Sequence, residues 1–276
     1  MTCYFDKLPD CVNLGLCWDK YFFLESKNRN FFLKSKAEES ERNLAMELLR
    51  RLNNKLSYVT KLGSFDVLHR RRDNLIAKLE PKMSKVCDFN LKLKGRLLVG
   101  SGNPSPIEVG MTFSRNYGIP VIPNSAIKGS LGHYLKSNGL LGEYFKDLFG
   151  EDTKEGEDSE NIRGCLIFLE AIPKGDLKFD VDIVNNHFQP YYMNSDRPPN
   201  DWYNPVPVTY ITVLEETFRF TLLKDNTQNR LSNEIFAEVS KHLKQMLSKS
   251  GIGAKTNYGY GRFKISGVAK VPGSDL

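Results

Sequence analysis

The order in which hydrophobic periodicities follow one another from residue 87 onward constrains the fold of this chain more than any other feature. Phe89, Leu91 and Leu93 alternate with polar residues, which is the pattern of a half-buried strand with a basic solvent face. The predicted elements in chain order are a strand at 89–99, a helix at 124–136, strands at 164–172, 177–183 and 208–223, a helix at 233–249 and a strand at 261–266. This order matches a ferredoxin-like β-α-β-β-α-β plan with insertions, and it predicts an α+β fold that is typical of RNA-binding platforms.

Residues 1–86 are predicted to form a mainly helical N-terminal extension, and residues 87–276 the ferredoxin-like core. Within the extension, amphipathic helices are expected near 38–59 and near 64–79. The second of these should bury one side, consisting of Phe65, Leu68, Leu75, Ile76 and Leu79. Its polar face carries the triplet Arg70-Arg71-Arg72, which fits either a solvated helix face or a contact with RNA or an acidic partner.

Two insertions interrupt the core. Residues 150–163 are rich in Asp and Glu and are expected to form an exposed acidic loop. Residues 185–207 contain five prolines together with His187, Tyr191, Tyr192, Trp202 and Tyr203. Because proline does not fit inside a regular sheet, this segment is predicted to be a protruding loop or hairpin with aromatic residues at its tip.

Composition limits the class of protein without defining its function. The chain has 276 residues, of which 40% are apolar and 26% charged, and its formal net charge of +6 permits an anionic partner. The odd number of cysteines and the lack of a C-x-x-C pattern argue against a disulfide framework and a zinc site. No apolar run is long enough for a membrane span and no secretion signal is recognisable, so the expectation is a cytoplasmic protein without a cofactor.

The segment from Gly251 to Phe263 is the strongest candidate for ligand binding. It contains four glycines, two tyrosines, Lys255 and Arg262, and no acidic residue. Backbone N–H groups and cations suit phosphates, and tyrosines stack on bases, so a nucleic acid backbone is the expected ligand. A P-loop is excluded because the segment joins a helix to a strand and Ala254 stands where a glycine is required. A turn without a ligand is the alternative.

A second candidate is the predicted start of the helix at 124–136. Asn124 or Ser125 is a suitable N-cap residue, and Lys128 falls in the first helical turn. A helix N-terminus favours an anion, and the lysine adds a full positive charge. The pattern therefore favours a phosphate contact, with an ordinary solvated lysine as the alternative.

These segments together resemble one known family. Ile122–Gly129 resembles the I-P-G-S-S-L-K-G element of the RAMP superfamily of CRISPR effector proteins, and Gly251–Phe263 resembles its glycine-rich loop. Asn185–Phe188, with the insertion that follows, resembles one subunit of the type III-B Cmr complex in particular. The resemblance covers roughly residues 87–270.

The resemblance implies a non-catalytic subunit of an RNA-guided antiviral complex that binds the 3′ part of the guide RNA and the guide–target duplex. Its implied partners are the guide RNA, the target RNA and the other Cmr subunits. The implied RNA-binding residues are Ser125, Lys128, Gly251, Gly253, Lys255, Asn257, Tyr258, Gly259 and Arg262. The insertion at 185–207 would be a thumb or a subunit contact, through His187, Tyr191, Tyr192, Trp202 and Tyr203.

Catalytic roles have weaker support in the sequence. The catalytic backbone subunit of Cmr complexes has an aspartate between the first strand and the first helix, where this chain has only Glu108. A guide-processing endonuclease that uses His133 or His187 as a base is the alternative function, and a generic RNA-binding domain is a third. Asp180 and Asp182 share one strand face and suit a metal, although a solvated face explains them as well.

Overall fold

The computed structural model describes residues 14–16, 18, 64–105, 107, 109–151, 162–175, 177–193, 196–228 and 231–265. The helix predicted near 38–59 and most of the acidic loop at 150–163 lie outside the described residues, as does Glu108. Helices and strands alternate along the rest of the chain, which confirms the predicted α+β class.

The helices, apart from a single turn at Leu14–Leu16 and short 3₁₀ turns, are α1 (Ser64–Leu79), α2 (Asn124–Ser137), α3 (Phe145–Phe149), α4 (Gln189–Met193) and α5 (Asn233–Lys249). The strands are β1 (Met83–Leu93), β2 (Arg96–Leu97), β3 (Gly150–Glu151), β4 (Ile162–Arg163), β5 (Leu166–Phe168), β6 (Ile172–Pro173), β7 (Lys178–Asn186), β8 (Val206–Leu214), β9 (Thr217–Asp225) and β10 (Phe263–Lys264). Among the described helices, none is long and apolar enough to cross a membrane.

The chain divides into two compact units that are built from discontinuous segments. Of the described residues, those within 65–97, 121–176 and 215–276 form the larger unit, and those within 1–64, 98–120 and 177–214 form the smaller one.

An antiparallel sheet with the strand order β10-β1-β9-β5 forms the centre of the larger unit, and β6 also pairs with β9. In the register of β1 and β9, Phe89 lies opposite Phe220 and Leu91 opposite Phe218. Because side chains alternate along a strand, these apolar residues share one face of the sheet.

The apolar face of this sheet carries the hydrophobic core of the larger unit. The Phe263 ring packs edge-on against Phe220 and Phe218, with centroid distances of 5.2 and 6.2 Å. Helix α5 contributes buried Val239 and Leu243 and contacts both β1 and α2. Full burial of each such side chain contributes roughly 1.5–3 kcal/mol to folding.

The opposite face of the sheet is polar, and part of it is used to bind α1. Arg219 alternates with Phe218 and Phe220, and its guanidinium hydrogen-bonds to Asp88 of β1 and Asp73 of α1. The sequence analysis predicted a basic, solvent-facing surface here. Lys92 and Lys94 are exposed as expected, but around Arg219 the polar face is occupied by ion pairs within the protein.

Several strand boundaries differ from the predicted ones. β1 begins at Met83 and ends at Leu93, before the turn that contains Gly95. The strand predicted at 208–223 is divided into β8 and β9, because Glu215 has a left-handed conformation with φ 48°. The next residue, Glu216, is buried, and its carboxylate accepts the Thr217 N–H at 2.8 Å. The strand predicted at 164–172 is likewise two short strands, β5 and β6.

The smaller unit contains the long antiparallel hairpin β7–β8. Its pairing runs without a break from Lys178 opposite Leu214 to Asn186 opposite Val206. Phe113 packs against Trp18 and Phe179, at centroid distances of 5.5 and 6.4 Å. The segment predicted as a protruding insertion at 185–207 therefore forms the tip of a hairpin, and its two ends belong to the paired strands.

Candidate nucleic-acid interface

The start of α2 is one of the two predicted phosphate sites. The chain reaches it through a bridge between Ile122 and Ala171, whose N–H and C=O groups bond in both directions at 2.9 and 3.1 Å. Pro123 occupies the N-cap position with φ −58° and ψ 146°, so the predicted N-cap residues Asn124 and Ser125 are already helical. Proline fits here because its fixed φ suits the extended backbone that leads into the helix.

Because proline has no polar side-chain atom, the N-cap side chain cannot accept a hydrogen bond from the first-turn N–H groups, although the Pro123 carbonyl accepts the Ile127 N–H at 3.1 Å. The Asn124 Oδ1 accepts the Ser125 N–H at 3.0 Å. Ser125 and Lys128 are both exposed. The positive end of the helix dipole and a lysine thus face the same surface, which suits an anion.

The glycine-rich loop follows α5 and folds back on itself. The Ile252 N–H donates to the Gly261 carbonyl at 3.0 Å, and the Gly261 N–H donates to the Arg96 carbonyl at 2.8 Å. Gly251 and Gly261 have φ of 78° and 62°. A Cβ at Gly261 would collide with the Ile252 carbonyl, and one at Gly251 would lie 2.9 Å from the Tyr260 carbonyl. These two glycines allow the loop backbone to pack closely on itself. The sequence predicted instead that glycines in this loop let a ligand come close to the backbone.

Part of the loop backbone is also used internally. Lys255 has φ 59°, and its carbonyl accepts the Tyr258 N–H at 3.0 Å in a 3₁₀ turn. The Gly259 N–H donates to the Thr256 carbonyl at 3.0 Å. The expectation that the loop's N–H groups are available to a phosphate is therefore wrong for Tyr258 and Gly259.

Arg262 is half-buried, and its Nη2 donates to the Thr256 carbonyl at 3.3 Å, so it braces the loop from within. The residues on the outside of the loop are Gly253, Asn257 and Tyr258. Tyr258 is 85% exposed, which leaves both faces of its ring accessible to a stacking partner.

The structure also contains a groove that the sequence analysis did not identify. It has a volume of about 980 Å³ and lies between the outer face of α2, helix α3 and strands β3, β4 and β5. Its cationic and imidazole side chains are Lys128, His133, Lys136 and Arg163. The sequence did contain one signal for this groove. Residues 125, 128, 132 and 136 are three or four positions apart, and residues with this spacing share one face of a helix. Arg163 reaches the groove through strand pairing, which the sequence does not reveal.

The predicted thumb residues lie at the tip of the β7–β8 hairpin. Tyr192 is 67% exposed and Trp202 is 91% exposed, and Tyr191 and His187 are exposed as well. Tyr203 is half-buried, and its hydroxyl donates to the Pro198 carbonyl at 3.2 Å. Sequence reasoning missed Met193, which is among the most exposed apolar side chains of the tip.

The candidate catalytic residues that the structure describes each have a local setting. His133 lies on α2, 3.4 Å from the Ser137 hydroxyl, whereas His187 belongs to the other unit. Asp180 and Asp182 each accept the N–H of the residue that follows, at 2.9 and 2.8 Å. Within the described ranges, no three His, Cys, Asp or Glu side chains come together as metal ligands.

The fold and these surfaces define an α+β protein with an antiparallel sheet and exposed basic segments around one helix start. The chain belongs to the RAMP superfamily, whose family model matches residues 90–264.

The chain is also similar to curated proteins from two organisms. It is 30% identical over 227 residues to the CRISPR system Cmr subunit Cmr6 of Pyrococcus furiosus, an alignment that covers 62% of this chain and 65% of that protein. It is 24% identical over 203 residues to the CRISPR system CMR subunit Cmr6 of Saccharolobus solfataricus, covering 71% of this chain and 63% of that protein. The chain thus spans slightly less than two thirds of the length of each relative.

A solved structure provides a comparison of folds. One chain of the cryo-EM structure of the type III-B Cmr-beta bound to cognate target RNA superposes with a TM-score of 0.55. The match covers 86% of this chain and 79% of that chain at 20% sequence identity, so it supports a common fold.

Proposed function

We propose that this chain is a non-catalytic, RNA-binding subunit of a type III-B CRISPR complex, equivalent to Cmr6. It would bind the 3′ part of the guide RNA and the guide–target duplex in antiviral defence. RAMP membership and the two Cmr6 relatives support the class of complex. The observation that carries RNA binding is the exposed start of α2, where Ser125 and Lys128 lie at the positive end of the helix dipole.

We infer a ferredoxin-like core from the sheet. The larger unit follows the β-α-β-β-α-β plan when β5 and β6 are counted together as the second strand. Its elements are then β1, α2, β5 with β6, β9, α5 and β10. In the sheet, the fourth strand of the plan (β10) pairs with the first (β1), and the third (β9) pairs with the second (β5). All of these neighbours are antiparallel. Helix α1, which lies within the proposed N-terminal extension at 1–86, contacts the polar face of this sheet through the Asp73–Arg219 pair.

In this proposal the glycine-rich loop is the second RNA contact. Tyr258 would stack on a base, and Lys255 and Asn257 would contact the backbone beside it. Gly253 would allow the RNA to approach closely. Gly251, Gly259 and Arg262 would act by holding the loop in shape.

The remaining assignments follow from the same proposal. The partners would be the guide RNA, the target RNA and the other Cmr subunits, in the cytoplasm, without a cofactor. Glu108 would have no catalytic role, and the hairpin tip would act as a thumb or a subunit contact.

The proposal is tested with the double variant Lys128→Ala/Lys255→Ala and a labelled single-stranded RNA that carries the CRISPR repeat. Loss of two phosphate contacts should reduce the slope of log affinity against log salt by about 1.4 and weaken binding about tenfold near physiological salt. Fluorescence anisotropy over a salt series measures both quantities. The variant Lys85→Ala/Lys241→Ala removes the same charge from two exposed lysines elsewhere and should retain both values.

The same samples are run on denaturing gels. Intact RNA is expected throughout. Unchanged affinity and slope in the Lys128→Ala/Lys255→Ala variant would show that these lysines do not contact phosphates. A discrete cut in the RNA that disappears in His133→Ala or His187→Ala would show that the chain is a nuclease.

A further inference from the structure

The groove beside α2 carries a basic surface that extends well beyond the helix start. Lys128 and Lys136 are eight residues apart on one helix face, so their Cα atoms are separated by about 12 Å along the axis. His133 lies between them and is exposed. Arg163 on β4 faces the same space from the opposite wall. The cationic groups are thus spread over the lining of the groove.

Among the described residues that line the groove, the one acidic side chain is Glu151, and it has a cationic partner. Glu151 lines the wall next to Arg163, and its carboxylate lies 2.6 Å from the Lys146 Nζ. The Arg163 guanidinium lies 3.6 Å from the Asp225 carboxylate, and 66% of the Arg163 side chain is exposed. Of the charged residues that line the groove within the described ranges, Lys128, Lys136 and Arg163 are cations, and Glu151 is an anion that is paired with Lys146.

The shape of the groove depends on glycines and aromatic rings. A Cβ added at Gly129 would meet no atom within 4 Å, so the helix backbone itself is accessible at this position. At Gly132 a Cβ would lie 3.5 Å from Phe145 and 3.6 Å from Phe149, so this glycine lets the rings pack closely on α2. The Lys136 Nζ is held 4.3 Å from the centre of the Phe145 ring, which fixes a cation at the far end of the groove.

We propose that this groove binds a continuation of the RNA strand that leaves the start of α2, with its phosphates on Lys136 and Arg163 and its sugar-phosphate backbone passing over Gly129. A single strand fits this surface because it needs cations at intervals along a groove and space close to the protein backbone. An acidic protein segment would also be attracted to these cations, but the continuity of the groove with Ser125 and Lys128 favours the nucleic acid. The inference rests on the proposed function and assigns His133, Lys136 and Arg163 as further RNA-contacting residues.

The first test is the double variant Lys136→Ala/Arg163→Ala of the full chain, measured by anisotropy with the repeat RNA over a salt series. The expected result is about tenfold weaker binding near physiological salt and a slope reduced by about 1.4, as for two lost phosphate contacts. Lys85→Ala/Lys241→Ala again controls for net charge. An unchanged thermal midpoint checks that loss of the cation over Phe145 has not altered the fold.

The second test does not depend on affinity. His133 and, as a control, Lys241 are each replaced by the photo-crosslinker benzoylphenylalanine, and the chain is irradiated with RNA in the presence of the other Cmr subunits. A cross-link to RNA from position 133 and not from position 241 is expected. A cross-link from position 133 to a protein subunit would overturn the inference in favour of a protein partner.

The outcomes separate this inference from the proposed function. If Lys128→Ala/Lys255→Ala weakens RNA binding while Lys136→Ala/Arg163→Ala does not, the function stands and the groove assignment fails. If neither double variant changes binding, both fail.

Discussion

Arg219 is the residue on which the polar face of the sheet depends. It is 9% exposed, and its Nε and Nη2 donate to the two oxygens of Asp88 at 2.8 and 2.5 Å. The hydrogen bonds to Asp88 raise the pKa of Arg219 despite its burial. Burial alone would raise the pKa of Asp88, but the hydrogen bond and the charge of Arg219 outweigh it and lower that pKa. Both groups are therefore charged at neutral pH. Removal of Arg219 leaves the Asp88 carboxylate without its cation, and removal of Asp88 leaves Arg219 with Asp73 alone.

This asymmetry leads to a prediction for stability. Asp88→Asn should lower the free energy of unfolding by about 3 kcal/mol, since it leaves the buried guanidinium with the more exposed Asp73 as its remaining counter-charge. Asp73→Asn, the matched control, changes the other partner of Arg219, whose side chain is 54% exposed, and should cost less than about 1 kcal/mol. Urea denaturation followed by far-UV circular dichroism measures both. Equal losses in the two variants would show that Asp88 is not the dominant partner.

At the scale of elements, polar side chains contribute to the contact between α1 and the sheet, although the sequence of α1 predicted a purely apolar contact face. The Arg72 Nη1 donates to the Glu170 carbonyl at 2.7 Å, and the His69 Nε2 lies 2.9 Å from the Pro173 carbonyl. Leu75, which was predicted on the buried side, is 52% exposed. His69 takes a place in the buried face instead, where its Nδ1 has no hydrogen-bond partner among the described residues.

The contact of His69 predicts a pH dependence for the attachment of α1. Burial lowers the pKa of His69, and nearby Lys174, Arg219 and Arg72 lower it further, against the opposing effect of the Pro173 carbonyl. The folded chain therefore favours the neutral ring, whereas the unfolded chain takes up a proton near pH 6.5. The contribution of this group to stability is present above that pH and is lost as the pH falls below it, by at most about 1.4 kcal/mol per pH unit.

Urea denaturation of the wild type and of His69→Gln between pH 8 and pH 5 measures this contribution. Glutamine keeps an N–H donor for the Pro173 carbonyl, so at pH 8 the variant should match the wild type to within about 1 kcal/mol. Its stability should then fall less steeply than that of the wild type below pH 6.5. Parallel curves would show that His69 does not cause the decline.

The helices were predictable from the sequence because their signals are local. The predicted ranges 64–79 and 233–249 coincide with α1 and α5. The predicted start of α2 at residue 124 is also correct, although its N-cap is Pro123 and not Asn124 or Ser125. Strand ends and polar contacts depend on partners far away in the chain, so the break at Glu215 and the pair of Arg219 with Asp88 could not be read from periodicity. The candidate site divides in the same way. Lys128 was predictable from its place in a first turn, whereas Arg163 enters the groove only through the fold.

At the scale of the whole molecule, the division into units follows no continuous stretch of sequence. The smaller unit combines residues 98–120 with the hairpin segment 177–214, while the residues between them belong to the larger unit. The hairpin strands are continuously paired up to Asn186 and Val206, so the tip beyond them is not needed to hold the strands together. Its exposed apolar side chains therefore point to a role in binding.

The last prediction concerns this tip. The triple variant Tyr192→Ala/Met193→Ala/Trp202→Ala removes side chains that are 67%, 81% and 91% exposed, so it should change the free energy of unfolding by less than about 0.5 kcal/mol per residue. If the tip is an interface, loss of aromatic anchors should weaken assembly with the other Cmr subunits, or binding of the guide–target duplex, by at least about 2 kcal/mol.

Val67→Ala/Leu75→Ala removes exposed apolar side chains of α1 and serves as the control. Size-exclusion chromatography of the reconstituted complex and anisotropy with the duplex separate the two kinds of partner. Normal assembly and normal duplex binding by the triple variant would exclude the tip from both interfaces, whereas a loss of cooperative unfolding would show that the tip belongs to the core of its unit.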